Sequence, residues 1–250
     1  MAEKASSFGM FRPPFDPNLI YTYNVADPVP IEHGERDTAH AERDDMSARS
    51  RRRGTNEQAR SRRLRETRSM SNAQVTGLIE AARHAQRIGL PFNRHITVRL
   101  EKAGVEDRDG VQAIGKFLTR IRDWLRRKGL RTSYAWAREW AYSTGSHVHI
   151  LLHLPPEVTL RGSRTRRWIE AISGQPYEAG TICTRRIAQS AYDQNLAALV
   201  GYLCKGASAD VADSLGLTRR KYGGAVIGKR AGWSQNIGKK ARLLWRLGTK

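Results

Sequence analysis

The sequence predicts an α+β fold, a central antiparallel β-sheet with flanking helices. Three observations carry this. Segments that alternate every two residues are interleaved with segments of helical period, in the order β-α-β-β-α-β-α from residue 94 onward. The two middle strands are joined by a short Ser/Thr/Gly turn, which permits only an antiparallel hairpin. And 250 residues suffice for one good core, with or without an arm outside it.

Residues 1–68 show no sustained apolar period. Pro13, Pro14, Pro17, Pro28 and Pro30 give way to an Arg/Ser-rich run from Arg49 to Arg68 with almost no aliphatic side chains. We expect a largely disordered arm, Pro-rich then Arg-rich, whose arginines can grip phosphates without sequence preference. Order is expected from Ser71, a helix N-cap, with Val75, Leu78, Ile79 and Ala82 at helical spacing and Gly89-Leu90-Pro91 ending the helix. Arg94 to Leu100 alternates with β-branched residues and reads as a strand. Residues 111–128 form the clearest helix. Val111, Ile114, Phe117, Leu118, Ile121, Trp124 and Leu125 make its apolar stripe, the outer face is arginine-rich, and Gly129 stops it.

Thr132 to Trp140 and Ser146 to Leu154 then read as a hairpin, its second strand fully buried and ended by Pro155-Pro156. A basic helix over 164–172 and a strand over 181–187 follow. Ser190-Ala-Tyr-Asp193 has capping-box form and opens a helix ending at Lys205-Gly206. The helices are expected against one face of the sheet. Residues 69–206 thus form one domain, and 207–250 a basic C-terminal extension, Gly-rich and then Lys/Arg-rich.

A formal net charge of +20 and a pI of about 10.7 make an acidic polymer the expected partner, nucleic acid first and an anionic membrane surface second. Two cysteines, Cys183 and Cys204, are too few for a disulfide framework and lack metal-ligand spacing. A reducing, cytoplasmic setting is expected. No signal pattern opens the sequence, and no apolar run approaches membrane-spanning length, so no membrane role is expected.

Chemistry concentrates at two places. His147 and His149 alternate on one strand, so they share a face about 7 Å apart, a spacing at which two imidazoles can hold one cation. Glu139 on the preceding strand can complete the set. Two histidines and a carboxylate with open positions suit Mg²⁺ or Mn²⁺ better than a closed zinc cage. On the last helix, Leu196, Leu199, Val200 and Leu203 form the core stripe, and Tyr202 falls at its edge with Lys205 one turn on. Tyr192 lies on the stripe and reads as structural. Each feature alone also fits ordinary packing: a satisfied core histidine, or a boundary tyrosine.

Together the two features resemble the HUH endonuclease superfamily, single-tyrosine type. Gly145 to Pro155 looks like the HUH motif, two histidines around a bulky hydrophobic residue at the end of a hairpin. Leu199 to Gly206 looks like the nucleophile motif, with lysine three residues after tyrosine. Arg94 to Leu100 matches the usual first core strand, and Trp136 to Glu139 the strand bringing a third, polar ligand. The resemblance spans about residues 92–206 and is closest to rolling-circle replication initiators of bacterial plasmids and phages. It implies a ferredoxin/RRM-like core, a Mg²⁺ or Mn²⁺ held by His147, His149 and Glu139, and attack by Tyr202 to leave a 5′-phosphotyrosine, with Lys205 stabilising the developing charge. The tyrosine follows the histidines, whereas relaxases often place it before them. Positions 198 and 206 are Ala and Gly, so a second tyrosine one turn away is lacking.

The implied substrate is single-stranded or locally melted DNA, such as an origin hairpin. Arg120, Arg122, Arg126, Arg127 and Arg131 could track its backbone, as could Lys239, Lys240 and Arg242 in the tail, and Trp140 could stack on bases. Trp136, on a central strand, reads as core. With no Walker loop in the sequence, a host helicase is an expected partner. A relaxase or transposase using the same chemistry stays open as an alternative, as do a non-catalytic DNA-binding regulator and a basic RNA-binding module.

Overall fold

A computed structural model describes residues 65–160, 162–217 and 222–248. The expectations for residues 1–64 lie outside them. The elements, in chain order, are β1 (Glu66–Thr67), α1 (Asn72–Arg87), β2 (Arg94–Arg99), α2 (Gly110–Arg126), β3 (Tyr134–Ala141), β4 (Gly145–Leu152), α3 (Ser163–Ser173), β5 (Ile182–Arg186), α4 (Tyr192–Leu203), α5 (Ala209–Ser214), β6 (Val226–Ile227), β7 (Ala231–Trp233) and α6 (Lys239–Arg246). The described end of the expected arm contains β1, which pairs antiparallel with β6.

Five strands form one antiparallel sheet in the order β5-β2-β4-β3-β7. The α+β architecture expected from the alternation is therefore present. The central strand β4 is buried at every position, as its unbroken apolar run requires once both faces are covered. Register places Ile96, Val98, Trp136, Val148, Ile150 and Leu152 on one face, packed against Ile114, Phe117, Leu118, Ile121 and Leu125 of α2 and Ile169 of α3. The opposite face, with Ala135, Ala137 and Leu151, packs against Val75, Leu78 and Ala82 of α1 and Leu196 and Leu203 of α4. Helices therefore cover both faces, not the one expected. A continuous apolar strand needs a second cover, and α1 and α4 supply it. Small side chains at Ala135 and Ala137 let that cover approach closely.

Two helix starts show how local chemistry decides. Ser71 accepts from the Gln74 amide while the Gln74 side chain accepts from the Ser71 amide, a reciprocal capping box that fixes the start of α1. The box expected at Ser190–Asp193 does not form. Ala191 adopts a left-handed conformation (φ 54°), so α4 begins at Tyr192, and the Asn195 side-chain amide donates to the carbonyls of Ala188 and Ser190.

The residues expected as a C-terminal extension enter the sheet. Ala231–Trp233 forms its edge strand against Ala135–Ala137. Two fully buried arginines tie this segment down: Arg138 donates to Ile227 O and to Asp107, and Arg230 to the carbonyls of Gly223, Gly224 and Thr67. Among the described residues, no helix is long and apolar enough to cross a membrane.

Candidate active site

The hairpin β3–β4 sets Glu139 directly opposite His147, and alternation puts His149 on the same face. All three are buried: Glu139 is 4 % exposed, His147 6 % and His149 5 %. Each offers one ligand atom, and these atoms lie within 4.8 Å of one another. Glu139 Oε2 stands 3.6 Å from His147 Nε2 and 3.9 Å from His149 Nε2.

The outer nitrogens fix the tautomers. His147 Nδ1 is 2.8 Å from the Gly145 carbonyl, which can only accept, so Nδ1 carries the proton and Nε2 turns its lone pair inward. His149 Nδ1 lies 3.1 Å from Thr97 Oγ1 and 3.3 Å from His95 Nε2. Donation from Nδ1 to Thr97 leaves the His149 Nε2 lone pair facing Glu139 and accepting from the Tyr202 hydroxyl at 3.3 Å.

Burial pushes the His149 imidazole down to about 3, with Glu139 only partly offsetting it, so the ring is neutral near neutral pH. Burial alone would raise Glu139. The His147 ring beside it and the Lys205 ammonium hold it below the ordinary carboxylate value instead.

Two imidazole lone pairs and a carboxylate thus converge in a buried space. Glu139 Oε1 has no hydrogen-bond partner there, which a buried anionic oxygen tolerates poorly. A divalent cation would answer all of these atoms at once, so the residues fit a metal of the oxygen- and imidazole-ligated class.

Tyr202 stands on the last turn of α4, 41 % exposed, its ring centroid 4.9 Å from that of His149. The rim position expected from the helical wheel is the one observed. Lys205 follows past the helix end and does two things. Its Nζ lies 3.6 Å over the Tyr202 ring and 2.8 Å from Glu139 Oε2. The first contact follows from sequence spacing; the second had no sequence signal.

The structure therefore brings together Glu139, His147, His149, Tyr202 and Lys205. It does not bring the other basic candidates there. Arg120, Arg126 and Arg127 belong to α2 and its C-cap, which packs on the opposite face, and Arg131 lies in the loop before β3. Lys239 and Lys240 begin α6, away from the triad's strands. Arg242 is buried: it donates to Ile237 O and pairs with Glu80 at 2.8 Å, so its guanidinium is occupied inside the fold. Trp136 is core, and Trp140 is partly exposed. Tyr192 donates to the Phe92 carbonyl at 2.6 Å, a structural role. His153 is turned to the Pro91 carbonyl and takes no part.

Sequence reasoning missed His95 and Thr97. Their signal was present: polar side chains at alternate positions of a strand whose other face is Ile96 and Val98. It also missed the clamp on β3. Arg138 N donates to Arg230 O and Trp140 N to Gly223 O, so the backbone on both sides of Glu139 is held by residues far along the chain. Gly224 (φ +62°) passes so close to the Trp140 carbonyl that no Cβ fits.

No curated protein and no solved structure matches the chain. Residues 94–208, the stretch from β2 through Lys205 that holds every member of this cluster, match the model of a replication-associated protein family, the ORF2 type.

Proposed function

We propose that this protein is a metal-dependent, single-tyrosine DNA nickase of the HUH type that initiates rolling-circle replication. The observation that carries the reading is the Tyr202 hydroxyl, 3.3 Å from a buried His-His-Glu cluster with the donor set of a divalent-cation site. The likeness of residues 94–208 to replication-associated proteins supplies the biological context.

In this mechanism His147, His149 and Glu139 hold Mg²⁺ or Mn²⁺, which supplies positive charge to polarise a phosphate. The chain's own residues do the rest. Tyr202 directs its oxygen at phosphorus. A new phosphorus–oxygen bond forms to the phenol, the bond to the departing 3′-oxygen breaks, and the result is a 5′-phosphotyrosine with a free 3′-hydroxyl. Free phenols ionise only near about pH 10, so the hydroxyl must pass its proton to solvent at the exposed rim, while the 3′-oxygen gains one. Lys205, over the ring, stabilises the phenolate and the charge on the transferring phosphate. Thr97 and the Gly145 carbonyl keep both imidazoles turned with Nε2 inward. Because the ester to tyrosine conserves the bond, reversal reseals or transfers the strand.

The substrate is single-stranded or melted DNA, since a tyrosine on a packed helix reaches a paired backbone poorly. A host helicase is the expected partner. Nicking of single-stranded DNA with Mn²⁺ tests this directly: the parental chain should nick, and Tyr202→Phe should bind the same DNA without nicking it. Equal nicking by both would sink the assignment. Binding without nicking by either would favour a non-catalytic regulator.

A further inference from the structure

Exposure rises in one direction across the face that carries the site. Antiparallel register aligns Ala137, His149, Thr97 and Cys183 in one row across β3, β4, β2 and β5. The first two are buried, Thr97 is half-buried and Cys183 is exposed. The adjacent row repeats the trend: Glu139 and His147 are buried, and Arg99 is exposed. Toward β3 and β7 the sheet is covered by α1 and α4. Toward β5 the cover stops, and Cys183 to Arg186 are all exposed. A polymer reaching Tyr202 has that side to enter by.

Two guanidinium groups stand on this open side. Arg99 continues the row of Glu139 and His147. Arg185 faces His95 across the β2–β5 pair, and after burial its charge is what most lowers the His95 pKa. Neither arginine is in an ion pair among the described residues. Four positions of β2 separate their rows, about 13 Å at about 3.3 Å per residue. The row of His149, whose Nε2 touches the Tyr202 hydroxyl, lies between them.

Resting on the single-strand nickase reading above, we propose that the DNA strand crosses the site over the β2–β5 edge, with Arg99 and Arg185 each binding a backbone phosphate on either side of the one presented to Tyr202. The arginines of α2 are on the wrong face for this path. Guanidinium forks bind phosphate in two-point fashion and need no base identity, which suits a strand that must slide into register.

The chain carries its own reporter. Cys183 is exposed on the proposed path, whereas Cys204 is buried, its thiol pushed up to about 12. A maleimide therefore reads Cys183 alone. The experiment uses the full chain carrying Tyr202→Phe, a fluorescein-labelled pool of short random-sequence single-stranded DNA, anisotropy across a salt series, and the rate of Cys183 alkylation.

Arg99→Ala and Arg185→Ala should each weaken binding about fivefold near 0.1 M salt and flatten the log–log salt slope by about 0.7. Arg120→Ala and Arg126→Ala should change neither. Bound DNA should slow Cys183 alkylation severalfold. If the pool binds but both edge variants bind like the parent and Cys183 reacts equally fast with and without DNA, the path is wrong and the nickase reading survives. If protection and the arginine effects appear but the unsubstituted chain forms no adduct with DNA and Mn²⁺, the path stands and the chemistry falls. Failure of the pool to bind at all overturns both.

Discussion

Glu139 is where the site is decided. Its carboxylate is buried, one oxygen faces two imidazoles and Lys205, and the other has no partner. A neutral amide there keeps the shape and removes the charge that attracts a cation. Glu139→Gln, His147→Ala and His149→Ala should each lower Mn²⁺ affinity by about 100-fold or more in titration calorimetry. Unchanged affinity in any one would remove that residue from the ligand set. Thr97 acts through His149 and touches no metal, so its effect should be smaller and chemically specific. Thr97→Val should cost about tenfold in Mn²⁺ affinity, and Thr97→Ser, which keeps the acceptor, should restore it. If serine and valine behave alike, the hydroxyl does not orient the ring.

At the scale of elements, the cover over the site's face depends on how closely α1 approaches the edge strand β7. Gly77 of α1 lies against the Trp233 ring, with no room for a Cβ. Gly77→Ala must push helix and strand apart and should lower stability by about 1–3 kcal/mol in urea unfolding; a neutral result would mean Trp233 can swing away. The same helix carries His84, buried, with Nδ1 lacking a partner and its ring edge-on to Trp245. Burial first, then the charges of Arg242, Arg87 and Arg246, hold its pKa below 6.5. The folded chain therefore binds this proton less readily than the unfolded chain. The stability tied to a neutral His84 is complete above about pH 6.5 and is lost as pH falls below it. Tm should drop between about pH 7.5 and 5.5, and the drop should shrink in His84→Gln. The same drop in both would assign it to other groups. These contacts explain what was legible. Long strands with strict alternation, such as β2, and a long amphipathic helix such as α2 could be read directly. Ala231-Gly-Trp233 could not: three residues with two small side chains carry no period, and the strand exists because Trp136 and Gly232 pack too closely for anything larger.

Across the whole molecule, residues far apart in sequence lock one another in place around the hairpin. β1 pairs with β6, Met70 bridges to Ala207, and Arg230 ties Thr67, Gly223 and Gly224 together. A chain ended after Gly206 keeps every candidate catalytic residue but loses the edge strand and the backbone clamp on Glu139. It should unfold without a cooperative transition in calorimetry, and a sharp transition near the parental Tm would show the tail to be dispensable. Buried Arg138 and Arg230 also explain why the domain limits were hard to read. Arginine in sequence signals surface, and only the fold shows these two satisfied inside by carbonyls and Asp107. The candidate site itself was more legible than its frame, because alternation and helical spacing are local rules that place His147, His149, Tyr202 and Lys205 without the tertiary structure. Which face each helix covers is not local, and the α2 arginines were misjudged for that reason. The central claim is that Tyr202 takes up DNA covalently. After incubation with random-sequence single-stranded DNA and Mn²⁺, then nuclease and trypsin, the peptide Ile187–Lys205 contains both Tyr192 and Tyr202. Mass spectrometry should find a nucleotide on Tyr202 and none on Tyr192, and the adduct should vanish in Tyr202→Phe. A chain that nicks DNA with Tyr202 unmodified, or that keeps its adduct after Tyr202→Phe, would contradict the account.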